Sequence, residues 1–186
     1  MKYLIAGLGN IGSEYELTRH NIGFLVLDQL ADQHKVDFTT ERLSMHAEIK
    51  HKGRALHLIK PTTFMNLSGK AIAYWLQELK ITKENLLVVV DEIALPFGSL
   101  RMRSKGSAAG HNGLKNIELL LNGQDYSRLR FGVGDNYAKG HQVDYVLSRF
   151  SKDEFKKLPD FMIKANEMIL SFCTAGVERT MSQFND

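Results

Sequence analysis

Two rhythms of apolar residues run along the chain. Short continuous runs at Lys2–Ala6 and within "NLLVVVDE", where Leu86 to Val90 is unbroken and rich in β-branched residues, predict buried strands. Between them Ile22, Leu25, Val26 and Leu30 recur at helical spacing, which predicts a helix over Asn21–Gln33. "HAEIKHKGRALHLIKP" reads as two strands joined at Lys52-Gly53, an antiparallel hairpin. "LSGKAIAYWLQEL" is amphipathic and helical; "GLKNIELLLNG" is a helix closed by Gly123; "RLRFGVG" is a further strand. Ser151 and Glu154 spell a capping box that opens a C-terminal helical region, which Pro159 is expected to break or restart. Strands alternating with helices, plus one hairpin, give a single α/β domain over residues 1–186: a sandwich with a central mixed β-sheet flanked by helices.

Composition narrows the function classes. With 44% hydrophobic and 24% charged residues, the chain has an ordinary globular balance. Its one cysteine, Cys173, excludes an internal disulfide framework or a cysteine-based zinc site, and its apolar helical surroundings suit a buried thiol. No secretory signal or run of membrane-spanning length is visible, so the expected location is cytoplasmic, without membrane attachment. The net charge of +3 permits a nucleic-acid partner without demanding one. Arg101, Arg103, Lys105, Arg128 and Arg130 concentrate in "SLRMRSKGS" and "SRLRFG", either as a solvated rim or as an anion-binding edge.

The N-terminal "GLGNIG" has the G-x-G-x-x-G spelling of a dinucleotide loop. In that fingerprint the helix opens inside the glycines. Here a polar stretch, "SEYELTRHN", separates them from the first helical residue, and a hairpin follows where a second βαβ unit should stand. A nicotinamide cofactor is therefore not expected. Asn10 and Asp91 instead fall at the carboxyl ends of strands, where open α/β sheets bind ligands. His20 stands at the mouth of the first helix. A histidine is the usual general base near neutrality, and a carboxylate on its other nitrogen fixes the tautomer. The ordinary alternatives are a satisfied histidine and a capping aspartate. Asn66 and Asn112 each precede a predicted helix and suit either capping or amide recognition. His46, His51 and His57 are poorly spaced for one metal and fit an exposed hairpin face. There is no Walker loop, nucleophile elbow or H-E-x-x-H zinc motif, which favours direct attack by water.

Taken with "GLGNIGSEYELTRHNIGF", "KPTTFMNLSGKA", "DEIALPFG", "GSAAGHNGLKNI", "RLRFGVG" and "DYVLSRFSKDE", the chain resembles bacterial peptidyl-tRNA hydrolases almost end to end. That resemblance implies a monomeric, cofactor-independent enzyme that cleaves the ester between a peptide and the terminal ribose of tRNA. It implies that His20 is the base, Asp91 its orienting carboxylate, and Asn10 an amide near the attacking water. Tyr15, Phe64, Asn66 and Asn112 would contact substrate, and Arg103 and Arg130 would hold the tRNA 5′ phosphate. Ile11 and Ala94 depart from the residues common in the family, which are proline and aspartate. A non-catalytic RNA-binding protein on the same fold is the competing expectation, and turnover of peptidyl-tRNA separates the two.

Overall fold

The computed structural model describes residues 1–185. The chain runs β1 (Lys2–Gly7), α1 (Ile22–Gln33), β2 (Thr39–Glu41), β3 (Ser44–His51), β4 (Arg54–Pro61), α2 (Ser68–Leu79) and β5 (Leu86–Glu92). It continues through β6 (Leu100–Arg103), α3 (Asn112–Leu121), β7 (Ser127–Gly132), α4 (Gln142–Val146), α5 (Lys152–Ala175) and α6 (Val177–Phe184). The strands form one seven-stranded sheet in the order β2-β3-β4-β1-β5-β7-β6. Its four central strands, β4, β1, β5 and β7, are parallel; β2, β3 and β6 are antiparallel to their neighbours. The expected mixed sheet is thus present.

Alternation along the central strands serves two cores. Ile5, Leu87, Val89, Leu129 and Phe131 face α1 and α5, while Leu4, Ala6, Leu86, Val88 and Val90 face α2 and α3. Both sheet faces are covered, which is why these strands read as continuous apolar runs rather than alternating ones. Gly7 and Gly23 allow α1 to approach the sheet closely. A Cβ at Gly7 would lie 2.3 Å from the Gly23 carbonyl oxygen, and one at Gly23 2.5 Å from the Leu8 nitrogen. That contact sets the start of α1 against the carboxyl ends of β1 and β5.

Several details differ from the pattern-based expectation. Helix α5 runs through Pro159 without a break. The proline is on the exposed side, as is Phe155, whose carbonyl loses its amide partner and can take water. An interior proline costs about 3 kcal/mol; burial of Leu158, Met168, Ile169 and Phe172, at about 1.5–3 kcal/mol for each large apolar side chain, outweighs it. The capping box at Ser151 and Glu154 is present. Helix α3 ends one residue early, with Asn122 rather than Gly123 in the left-handed conformation at φ 55°. The basic stretch "LRMR" is strand β6, with Leu100 and Met102 buried against the core. Arg128 is not on a rim but fully buried, its guanidinium 4.1 Å from the Tyr126 ring centroid. His57 is buried and His46 half-buried, not displayed on an exposed hairpin face: Trp75 of α2 stacks on His46, which stacks in turn on His57. Cys173 is buried, and burial pushes its thiol pKa up. No helix among the described residues is long and apolar enough to cross a membrane.

Candidate active site

The glycine-rich segment after β1 does not open a helix. It leads through two short 3-10 turns, Ser13–Tyr15 and Arg19–Asn21, before α1 begins at Ile22. The first turn of α1 packs against Gly7 and Gly9 but does not open within the glycine motif, so the geometry of a dinucleotide loop is missing from these residues. The second turn instead carries His20 to the end of β5. Its neighbour Arg19 anchors that turn: the buried guanidinium donates to the Arg149 carbonyl at 2.9 Å and pairs with Glu154 at 2.9 Å. It also lies 4.2 Å from the Tyr145 ring centroid.

Asp91, the sixth residue of β5, receives two histidines. His20 Nδ1 lies 2.9 and 3.0 Å from its two carboxylate oxygens, and His111 Nε2 lies 2.9 Å from Oδ1. The hydrogen-bond network fixes both tautomers. His111 Nδ1 accepts from the backbone N–H groups of Gly113 and Leu114 at the start of α3, so its Nε2 carries the hydrogen given to Asp91. His20 Nδ1 likewise donates, which leaves Nε2 as the acceptor. Burial drags the His20 pKa down, but the charge and hydrogen bond of Asp91 prevail and the net shift is upward. For Asp91 burial disfavours the charged form, yet the two histidines hold its pKa well below the carboxylate range. The donor atoms of these three residues lie within 4.8 Å of one another, close enough to admit a metal ion. Their mutual hydrogen bonds account for the arrangement without one.

Asn10 is oriented as firmly. Its backbone N–H donates to Asn21 Oδ1 at 2.8 Å, its carbonyl accepts from Asn21 Nδ2 at 2.9 Å, and its own Oδ1 accepts from the Met65 N–H at 2.7 Å. The side-chain amide therefore turns its Nδ2–H₂ donors to the adjoining cavity. That cavity, of about 520 Å³, is lined by Asn10, His20 and Asp91 together with Phe64, Asn66, His111, Asn112, Val143 and Leu147. Neither Asn66 nor Asn112 caps a helix: α2 has no side-chain cap, and the cap of α3 is His111. Both amides are exposed at the cavity wall.

A family model described as peptidyl-tRNA hydrolase matches residues 4–186. The chain belongs to the peptidyl-tRNA hydrolase family. It is 60% identical over 185 residues to the peptidyl-tRNA hydrolase of Cytophaga hutchinsonii, covering 100% of this chain and 98% of that protein. It is 57% identical over 186 residues to that of Parabacteroides distasonis, with both chains fully covered. The crystal structure of peptidyl-tRNA hydrolase from Acinetobacter baumannii superposes with a TM-score of 0.92 at 31% identity, over 98% of this chain and 94% of that one.

The remaining residues singled out in the sequence are dispersed. Tyr15, half-buried at the end of the first 3-10 turn, does not line the large cavity. Arg103 is exposed at the end of β6. It pairs in register with Arg128, and Arg101 with Arg130, so Arg103 and Arg130 are diagonal neighbours on one sheet face. Arg130 already has partners: Glu92 at 2.7 Å and the Ser107 carbonyl at 3.3 Å. His111 escaped the sequence reading altogether. The available signal was its place before a predicted helix, in "GHNG", where the neighbouring asparagine looked the better cap.

Proposed function

We propose that this chain hydrolyses the ester joining a peptide to the terminal ribose of tRNA, by attack of a water that His20 deprotonates. The observation that carries the reading is the His20–Asp91 contact at the wall of a cavity into which the Asn10 amide donates. His20 Nε2 takes a proton from water while Nδ1–H stays on Asp91. The hydroxide adds to the ester carbonyl, and the resulting oxyanion accepts from Asn10 Nδ2–H. Collapse expels the ribose alkoxide, which takes the proton from the imidazolium. An ester with an alkoxide leaving group is far easier to cleave than an amide, so these groups suffice. General base action contributes about 10²–10⁴-fold and one oxyanion donor about 10²–10³-fold.

The cavity suits the acyl part. Asn66 and Asn112 are neutral and can bond the N–H and C=O of a blocked amino group, beside the exposed ring of Phe64. A free, protonated amine would lose the carbonyl contact and bring charge into a partly dry site. Each polar group left unpaired costs about 1–3 kcal/mol. Hydrolysis of N-acetylated over free aminoacyl-tRNA is thus expected to be strongly preferred, and the kcat/KM ratio is expected to fall in Asn66→Ala or Asn112→Ala. A large ratio unchanged in both variants removes them from recognition. Arg103, free of ion pairs among the described residues, is the readier of the two arginines to meet a tRNA phosphate; Arg130 would have to release Glu92 or Ser107. The enzyme acts as a monomer without cofactor in this reading.

The deciding experiment is His20→Ala. The circular dichroism spectrum and tRNA binding should be retained while turnover of N-acetylaminoacyl-tRNA drops by about 10²–10⁴-fold. Near-normal turnover would reassign the base.

A further inference from the structure

A second cavity, of about 390 Å³, adjoins the first, and Asn10 lines both; His20 lines only the larger. We propose that this second cavity seats the terminal adenine of the tRNA, packed on Phe24, while the acyl chain fills the larger one. The proposal rests on the hydrolytic reading above and adds to it where the nucleoside lies.

A ribose ester has two arms that diverge from the reacting carbonyl: the acyl chain on one side, the ribose and its base on the other. Two cavities that meet at Asn10, the residue proposed to hold the oxyanion, offer one space to each arm. Their linings differ in the same sense. The larger cavity presents the amides of Asn66 and Asn112, groups that pair with peptide N–H and C=O. The smaller presents one aromatic ring, Phe24, between Leu17, Leu25 and Met45, with the carboxylates of Glu16 and Asp28 and the ammonium of Lys60.

Phe24 is not needed by the core. Helix α1 buries Ile22, Val26, Leu27 and Leu30, which leaves Phe24, Leu25 and Asp28 partly open to the cavity side. The ring is held close to the chain next to Asn10: a Cβ on Gly9 would lie 2.9 Å from it and 3.0 Å from Asn21 Cγ. This close approach gives the second glycine of "GLGNIG" its purpose. Lys60 pairs with Asp28 at 2.5 Å and lies 5.7 Å from the Phe24 centroid, so Glu16 carries the charge left over. A cavity with surplus negative charge repels a phosphate or a peptide carboxylate. It admits a neutral ring and favours an edge that donates N–H, as the exocyclic amine of adenine does. Hypoxanthine places a carbonyl oxygen at that position.

The test uses N-acetylphenylalanyl-tRNA ending in adenosine, in inosine or in an abasic ribose. Base stacking on an aromatic side chain corresponds to roughly 5- to 150-fold. The wild-type protein should therefore favour the adenosine-ended over the abasic substrate by that order, chiefly in KM, with inosine between. Phe24→Leu should bring the adenosine-to-abasic ratio towards one. Glu16→Gln, at an exposed position that folding tolerates, should narrow the adenosine-to-inosine ratio. A wild-type ratio near one with normal turnover overturns the proposal, as does a large ratio that neither variant alters. If Phe24→Leu changes instead the preference between N-acetylphenylalanyl and N-acetylglycyl esters, the cavity holds the acyl side chain and the proposal also fails. Absence of turnover on the adenosine-ended substrate in the wild-type protein refutes the hydrolytic reading itself.

Discussion

Two pairs of histidines occupy this molecule, and they are built on opposite plans. At the end of β5, the rings of His20 and His111 stand 5.1 Å apart with the carboxylate of Asp91 between them. On the hairpin, His46 and His57 have nearly the same centroid separation, 5.2 Å, but bond directly, Nε2 to Nδ1 at 2.9 Å. Trp75 stacks on His46 at 4.8 Å. In the first pair each ring donates to an anion, and the His20 pKa rises. In the second, one ring must donate and the other accept, so the two rings cannot both be protonated without breaking the bond. Burial pulls both hairpin histidines downward, against the weaker upward pull of Glu41 and Glu48 on His46 and of Glu48 on His57. What decides whether a buried histidine can work as a base is therefore the group on its other nitrogen, more than burial or proximity to another ring.

The sharpest way to break this contrast is to remove the anion. Asp91→Asn should cost up to about 10⁴-fold in kcat, as loss of the orienting carboxylate does in serine protease triads. It should also move the acid limb of the pH–rate profile downward. In the wild type that limb should lie above the ordinary histidine value, because a raised pKa keeps His20 protonated to higher pH. An unchanged limb and rate together would end the pairing as a mechanism.

Removing the second donor tests whether His111 matters to the same anion. His111→Ala should lower kcat by roughly 10- to 150-fold, the equivalent of losing one hydrogen bond to a buried carboxylate. It also removes the cap of α3, at about 1 kcal/mol. His111→Asn can restore the cap without the bond to Asp91, so stability should recover while kcat does not.

The smallest effect on catalysis belongs to the hairpin. His57→Leu should leave kcat unchanged and cost about 1–3 kcal/mol, since His46 is left without its partner, whereas the double replacement His46→Leu with His57→Leu should be closer to neutral. His20 and the hairpin pair should also answer acid in opposite senses. A lowered folded pKa means that the unfolded chain binds the proton first, so the hairpin pair loses stability as pH falls below the ordinary histidine pKa of 6.5. The raised pKa of His20 adds stability below that range and loses it as pH rises through the folded value. Thermal melting against pH in the double leucine variant separates the two contributions.

The sequence was most legible where burial wrote a long pattern. The runs at β1 and β5, the hairpin and the Ser151 capping box needed no tertiary information. The strand-end rule was enough to place Asn10 and Asp91 at one edge of the sheet; the pairing of His20 with Asp91 came from the family resemblance. Legibility failed where a short element carries charge. β6 contains only Leu100 and Met102 as inward residues, and β2 is exposed throughout, so neither rises above a loop. Arg128 looked like surface because nothing local reveals that α3 and Tyr126 will cover it. His111 was missed because its two duties, capping a helix and bonding Asp91, arise only when α3 is set against β5. Pro159 misled because a local rule about breaking helices takes no account of the burial on the far side.

Glu154 illustrates how such double duties restrict what a position can become. One of its carboxylate oxygens accepts the Ser151 N–H at 2.8 Å and also pairs with Arg19 at 2.9 Å, next to the proposed base. Glutamine would keep the first bond and lose the charge; aspartate would keep the charge and fall short of both partners. Lysine in place of Arg19 would reach one partner and abandon the others. Tolerance to replacement at this surface-seeming glutamate is thus set by the longest helix and by the turn of His20 jointly, and drift at one end of the pair is confined by the other.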